Sequence, residues 1–267
     1  MNEPGMILAI DAGNSRTKWG IFDVAGELQT DGVCLNDQFK ADDAPLVWRS
    51  CNSAVVSNVA GAEMAAKLVA ALQHLAIPAT WVQSSLHACG VSNSYEQPEQ
   101  LGTDRWAAII AVWHLYHAPC LVINAGTALT IDALALDAEN KSGIFLGGMI
   151  VPGFRLMQDS LYQRTAGIGE YPGNLQIFPR NTGDAVYSGA VSAMAGAVKL
   201  MLKNLQHHAS AQQQALPRCI ITGGDAELLA QVLNDDTGFA FDPSHGQIII
   251  ADNLVLQGLL LLEREAS

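Results

Sequence analysis

Met6-Ile-Leu-Ala-Ile-Asp-Ala-Gly-Asn-Ser-Arg-Thr-Lys-Trp-Gly-Ile-Phe-Asp23 opens the chain with an apolar run, a short polar turn and a second run of strand character. A second stretch, Cys120-Leu-Val-Ile-Asn-Ala-Gly-Thr-Ala-Leu-Thr-Ile-Asp132, repeats the pattern near the middle of the chain. Each reads as a β-hairpin whose turn is built on Gly13 or Gly126. Glycine there permits positive φ and leaves room for a ligand to approach the backbone. The hydroxyl and amide side chains beside it (Asn14, Ser15, Thr127, Thr130) suit hydrogen bonding to anions. Two such hairpins half a chain apart predict a duplicated phosphate clamp shared by two related α/β domains.

The surrounding pattern supports a duplication. In the first half, strands are expected near 6–11, 16–23 and 27–34, then at 53–59 and 79–83, with helices over 61–75 and 104–117 and a loop over 92–103. The second half repeats this with strands near 120–124, 128–135, 143–151 and 218–224. Its helices are expected over 151–166, 182–208, 225–233 and 251–265, and 209–217 reads as a loop. Hairpins followed by alternating helix and strand predict a mixed sheet in each half. The expected domains are 1–117 and 118–267, split at Ala118-Pro119 and facing each other across a nucleotide cleft.

Bulk properties narrow the function class. Of 267 residues, 49% are apolar and 15% charged, and the net charge is −12. That charge disfavours a nucleic-acid surface, which needs a basic stripe, while a local pocket can still be positive. No apolar run approaches the ~20 residues that span a bilayer, and MNEPG lacks a basic signal-peptide start, so a cytoplasmic protein is expected. Five scattered cysteines without a C-x-x-C pair predict reduced thiols rather than disulfides or zinc.

The motifs DAGNSRTKWG, YEQPEQLGTDRW (95–106), NAGTALTID (124–132), GGMIVPG (147–153), TGDAVYSG (182–189), ITGGD (221–225) and DNLVLQGL (252–259) occur in one order along nearly the whole chain. Together they resemble type III pantothenate kinase, within the actin-like ATPase and sugar-kinase superfamily. The LGTDRW block with its preceding tyrosine carries the most specific part of the likeness. The resemblance implies two actin-like (ribonuclease H-like) domains. It also implies transfer of the ATP γ-phosphoryl group to pantothenate, the first step toward coenzyme A, by a homodimer needing Mg²⁺ and a monovalent cation (K⁺ or NH₄⁺).

Roles follow residue by residue. Asp11 ends a buried strand, where a lone carboxylate can hold hydrated Mg²⁺ or cap its own turn. Ala12, Gly13, Asn14, Ser15, Arg16, Thr17 and Lys18 form the first ATP-binding hairpin. Side chains alternate along a strand, so only some of the last three can face phosphates, and the resemblance favours Lys18. Asp104 is the candidate general base, with a first-turn carboxylate favoured by the helix dipole as the alternative. Arg105 can pair with the substrate carboxylate, and Tyr95, Gly102 and Thr103 complete the substrate segment that the resemblance implies. Thr182 either contacts substrate, from across a dimer interface if the likeness holds, or caps its helix.

In the second half, Thr127 is expected to donate to ATP phosphates, and Gly223 and Gly224 to form a loop against adenosine. Gly147, Gly148, Pro152 and Gly153 are expected to shape a tight turn. Asn124 stands where the family pattern has aspartate, which puts the monovalent-cation site in question, and Asp132 does not obviously replace it. Two other readings remain from the residues: a related small-molecule kinase or ATPase, and a transcriptional accessory protein, the branch that the NAGTA variant resembles.

Overall fold

The computed structural model describes residues 5–165, 167–234 and 247–266. They form two units, one holding the chain up to Leu115 together with the segment from Asn253 onward, the other Tyr116–Asp252.

In the first unit, β1 (Met6–Ala12), β2 (Arg16–Phe22) and β3 (Leu28–Leu35) form an antiparallel meander. β4 (Cys51–Asn58) then pairs parallel with β1, and β5 (Ala79–Trp81) parallel with β4. Helix α1 (Ala62–His74) joins those two strands, and the sheet order is β3-β2-β1-β4-β5. Leu8, Ala9 and Ile10 are all fully buried because β1 is the central strand, covered on both faces. One face packs Leu8, Ile10 and Val56 against Met64, Leu68 and Leu72 of α1, with Trp19, Phe39 and Trp48 closing the end. A short hairpin, β6 (His87–Ala88) and β7 (Val91–Asn93), precedes α2 (Thr103–Tyr116).

The second unit repeats this topology. β8 (Cys120–Ala125), β9 (Ala128–Asp137) and β10 (Ser142–Pro152) form the meander. Helices α3 (Phe154–Arg164) and α4 (Thr182–Ala211) follow. β11 (Arg218–Thr222) lies parallel to β8 and β12 (Ile248–Ile250) parallel to β11, with α5 (Ala226–Asn234) after β11. Read outward, β10-β9-β8-β11-β12 is the order β3-β2-β1-β4-β5 over again. The duplication inferred from two turns thus extends to the path and direction of every main strand.

The structure departs from the sequence reading in several places. Residues 253–266, expected in the second domain, belong to the first unit, where α6 (Leu254–Ala266) packs on β1 and β4. Its crossing with α2 is so close that a side chain at Gly258 would lie 1.9 Å from the Ala107 carbonyl. α4 runs three residues further than expected, into the segment read as loop. The helix expected over 151–166 starts only at Phe154, because Val151 and Pro152 finish β10, and its last expected residue, Ala166, lies outside the described residues. The short strands β6, β7 and β12 lack enough residues for a visible alternation. By length and composition alone α4 is apolar enough to cross a membrane. In the structure its Val191, Met194, Ala195, Val198, Leu202 and Leu205 form a core-facing stripe at helical spacing.

Candidate active site

Antiparallel register sets the first turn. Asp11 stands opposite Lys18 and Ala12 opposite Thr17, so Asp11 and Lys18 share one face of the hairpin and Thr17 the other. Arg16 and Lys18 are exposed while Thr17 is fully buried. Thr17 Oγ1 donates to Asn36 Oδ1 at 2.8 Å, so the hydroxyl expected to meet phosphate is committed to the protein interior. Neither Gly13 nor Gly126 uses the positive φ open to glycine. The two turns are closed instead by Gly13 N–H on the Arg16 carbonyl and Gly126 N–H on the Ala128 carbonyl, each at 3.1 Å.

Asp11 is half-buried, but its Oδ1 is sealed from solvent and has no hydrogen-bond partner among the described residues. Burial, reinforced by the nearby charge of Asp104 and opposed by Lys18, pushes its carboxyl up to about 7. An enclosed, uncompensated carboxylate oxygen is costly alone and fits a hydrated cation, so the residue present suits the Mg²⁺ expected there.

Asp104 lies in the first turn of α2, raised above the ordinary carboxylate range by burial, with the Arg105 amide and guanidinium pulling the other way. Its Oδ1 accepts from Arg105 N at 2.8 Å. A Cβ at Gly102 would lie 2.6 Å from that same oxygen, so the glycine makes room for it. Thr103 and the buried Ser57 of β4 share a hydroxyl–hydroxyl hydrogen bond of 2.8 Å. Ser57 is the register partner of Asp11, which ties the start of α2 to the strand pair carrying that carboxylate.

Arg105 is buried, donating from Nη1 to Tyr95 Oη at 3.0 Å with its guanidinium carbon 5.7 Å from the Tyr95 ring centroid. Buried Asn93 holds Tyr95 in place by accepting from its backbone N–H at 3.0 Å while donating to the Ser85 and Pro98 carbonyls. Ser57, Asn36 and Asn93 were not among the expected residues. No local pattern marks them, since their partners lie on other elements or turn geometry decides their role.

In the second unit, Asn124 and Gly223 come together. Gly223 has φ +104, and a Cβ there would lie 2.3 Å from the Ala125 carbonyl and 2.7 Å from Asn124 Oδ1, so only glycine fits beside this turn. The Ala125 carbonyl accepts from Asp225 N at 2.9 Å, as the Ala12 carbonyl accepts from Val59 N at the same distance in the first unit. Thr127 is exposed at the turn. Buried Asp132 pairs in register with Val122, and Asn124 with Thr130. Gly147 and Gly148 do not form a tight turn: they continue β10 beyond a register shift, with Gly147 at φ +135. Thr182 begins α4 exposed, and the cap is Asn181, whose Oδ1 accepts from Asp184 N at 2.8 Å.

This duplicated topology is the actin-like ATPase and sugar-kinase fold. A protein from Sinorhizobium meliloti described as a 2-dehydro-3-deoxygalactonokinase superposes with a TM-score of 0.55 at 11% identity, over 97% of this chain and 98% of its own. A Campylobacter jejuni protein described as a conserved Baf family transcriptional activator superposes with a TM-score of 0.60 at 21% identity over the same shares. At such identities the likeness is one of fold. The family model for type III pantothenate kinase matches residues 7–204. A type III pantothenate kinase of Methylobacillus flagellatus is 46% identical, covering 97% of this chain and 98% of that protein. One of Nitrosospira multiformis is 38% identical over 98% and 92%. The chain belongs to the type III pantothenate kinase family.

Proposed function

We infer that the protein phosphorylates pantothenate with ATP, yielding 4′-phosphopantothenate at the entry to coenzyme A synthesis. Family membership over nearly the whole chain supports the reaction, and the observation that carries the assignment of roles is Asp104. It is a largely buried carboxylate in the first turn of α2, raised in pKa and within electrostatic reach of Asp11. With Oδ1 occupied by the Arg105 amide, Oδ2 is the oxygen available to take the proton of the attacking hydroxyl. The hydroxyl oxygen bonds to the γ-phosphorus, the bond to the bridging oxygen breaks, and ADP leaves. In such transfers positioning and charge neutralisation supply most of the acceleration.

Asp11 would hold Mg²⁺ through water, and the ion when bound supplies charge neutralisation on the phosphates. Lys18, on the same face, adds a second positive charge, and the turns at 13–16 and 126–127 offer backbone amides to phosphate oxygens, with Thr127 beside them. Gly223 and Gly224 form the loop we assign to adenosine. Arg105, backed by Tyr95, is the anchor for the pantothenate carboxylate, and Thr182 a further substrate contact. Asn124 has an amide oxygen but no charge, which supports at most a weak K⁺ or NH₄⁺ site.

We read the enzyme as a cytoplasmic homodimer. The groove of about 330 Å³ between α3 and α4, lined by Leu156, Met157, Leu161 and Val186, is one support, and the exposed Ile177 and Phe178 nearby in sequence are another. The charge of −12 favours a reading without nucleic acid. An ADP-release assay with ATP and Mg²⁺, with and without pantothenate and in sodium or potassium buffer, tests the reaction. Pantothenate-dependent release is expected, and its absence in both salts would overturn the assignment.

A further inference from the structure

Asn36, the first residue after β3, binds the first turn at three points. Its Nδ2 donates to the Gly13 carbonyl, at 2.6 Å. Its Oδ1 accepts from the buried Thr17 hydroxyl at 2.8 Å. Its backbone N–H donates to the Ser15 carbonyl at 3.1 Å. Asparagine in a turn ordinarily bonds backbone close to itself in sequence, but here both ends of the amide reach residues 23 and 19 positions earlier. Asn36 is itself fixed from behind, because Gln38 and Phe39 both donate backbone N–H to the Leu35 carbonyl and Phe39 is buried against Trp48.

The duplicated fold supplies an internal control. Gly153, the first residue after β10, occupies the same place relative to the second turn. Its N–H donates to the Thr127 carbonyl at 2.9 Å, as Asn36 N–H does to Ser15. There the backbone itself closes on the turn, since a Cβ at Gly153 would lie 2.0 Å from the Gly126 carbonyl oxygen. In the first unit the Asn36 side chain reaches the corresponding carbonyl, that of Gly13. Two different residues therefore close on equivalent turns, Gly153 through its backbone and Asn36 through its side chain as well.

We propose that Asn36 is a positioning residue for the nucleotide-phosphate turn. A peptide group is planar and trans, so drawing the Gly13 carbonyl toward Asn36 aims the Asn14 N–H the opposite way, out of an exposed turn. Without that restraint the peptide can rotate and present an oxygen to the phosphate instead. The role concerns ATP and not the acceptor, and it rests on the reading of residues 13–18 as an ATP site.

The test is steady-state kinetics of Asn36→Ala, Thr17→Val and Thr17→Ser, with Lys18→Ala as a separate probe of the site, alongside thermal melts. Asn36→Ala is expected to raise the KM for ATP about tenfold, the scale of a lost restraining hydrogen bond, leaving the KM for pantothenate unchanged and kcat within about threefold. Thr17→Val should move the ATP KM the same way, and Thr17→Ser should restore it, a rescue that serves even if Asn36→Ala fails to fold. An unchanged ATP KM in Asn36→Ala, while Lys18→Ala raises it, overturns the proposal. So does a loss spread equally over kcat and both KM values with a lowered melting temperature, which is the mark of a merely structural residue. If Lys18→Ala also leaves ATP untouched, the phosphate-site reading itself fails.

Discussion

The hydroxyls of Ser57 and Thr103 meet at 2.8 Å, and through them the strand partner of Asp11 holds the first turn of the helix that carries Asp104. Both candidate acidic groups are thus referred to one rigid element, β4, rather than to a loop. Ser57→Ala removes the bond while keeping the packing. It is expected to lower stability by about 1 kcal/mol and kcat about threefold to tenfold, as Asp104 loses its reference to the sheet. Unchanged kcat in a well-folded variant would show that α2 needs no such tether.

Asp104→Asn keeps shape and volume and removes the proton acceptor. Turnover should fall about 10²- to 10⁴-fold, the usual scale for a lost general base, with pantothenate binding by calorimetry retained. Near-normal turnover would assign the proton to another group.

The pH dependence follows from Asp11, whose carboxyl is pushed up to about 7. Cation and proton compete for it, so kcat/KM should fall as pH drops through about 7 and recover partly with added Mg²⁺. Asp11→Asn should abolish that recovery, and chelation with EDTA should stop turnover at any pH. Stability has the opposite sign. The folded pKa lies above the unfolded 3.8, so the contribution of Asp11 to the metal-free protein is fully present below 3.8 and lost as pH rises through about 7. In EDTA the melting temperature of wild type should fall relative to that of Asp11→Asn as pH rises from 4 to 8, and a difference that stays constant over that range would show that this carboxyl is not perturbed.

Tyr95→Phe deletes the hydroxyl that accepts from Arg105 Nη1 at 3.0 Å and leaves the ring under the guanidinium. The KM for pantothenate should rise about fivefold to tenfold with little change in the KM for ATP. A matching rise for ATP would mean that Arg105 does not serve the acceptor.

Much of this was legible along the chain. Paired hairpins at Asp11-Ala-Gly-Asn and Asn124-Ala-Gly-Thr, a strand–helix–strand after each, and a Gly-Thr-Asp-Arg helix start are local patterns with local causes. Strand alternation even required that Thr17 and Lys18 point to opposite faces. It could not say which face is interior, and the structure turns Thr17 inward because Asn36 waits there.

What the sequence determined by itself was the run of strands and helices, the duplication and the chemical types gathered at each turn, since these depend on neighbours a few residues apart. Only the tertiary structure decided that α6 returns to the first unit, that Ser57 steadies Thr103, that Asn36 and Gly153 restrain equivalent turns, and that Asp11 is sealed enough to be protonated near neutrality. Those outcomes depend on close approach and on desolvation between residues far apart in sequence. Neither quantity exists until the sheets have formed and the helices have closed over them.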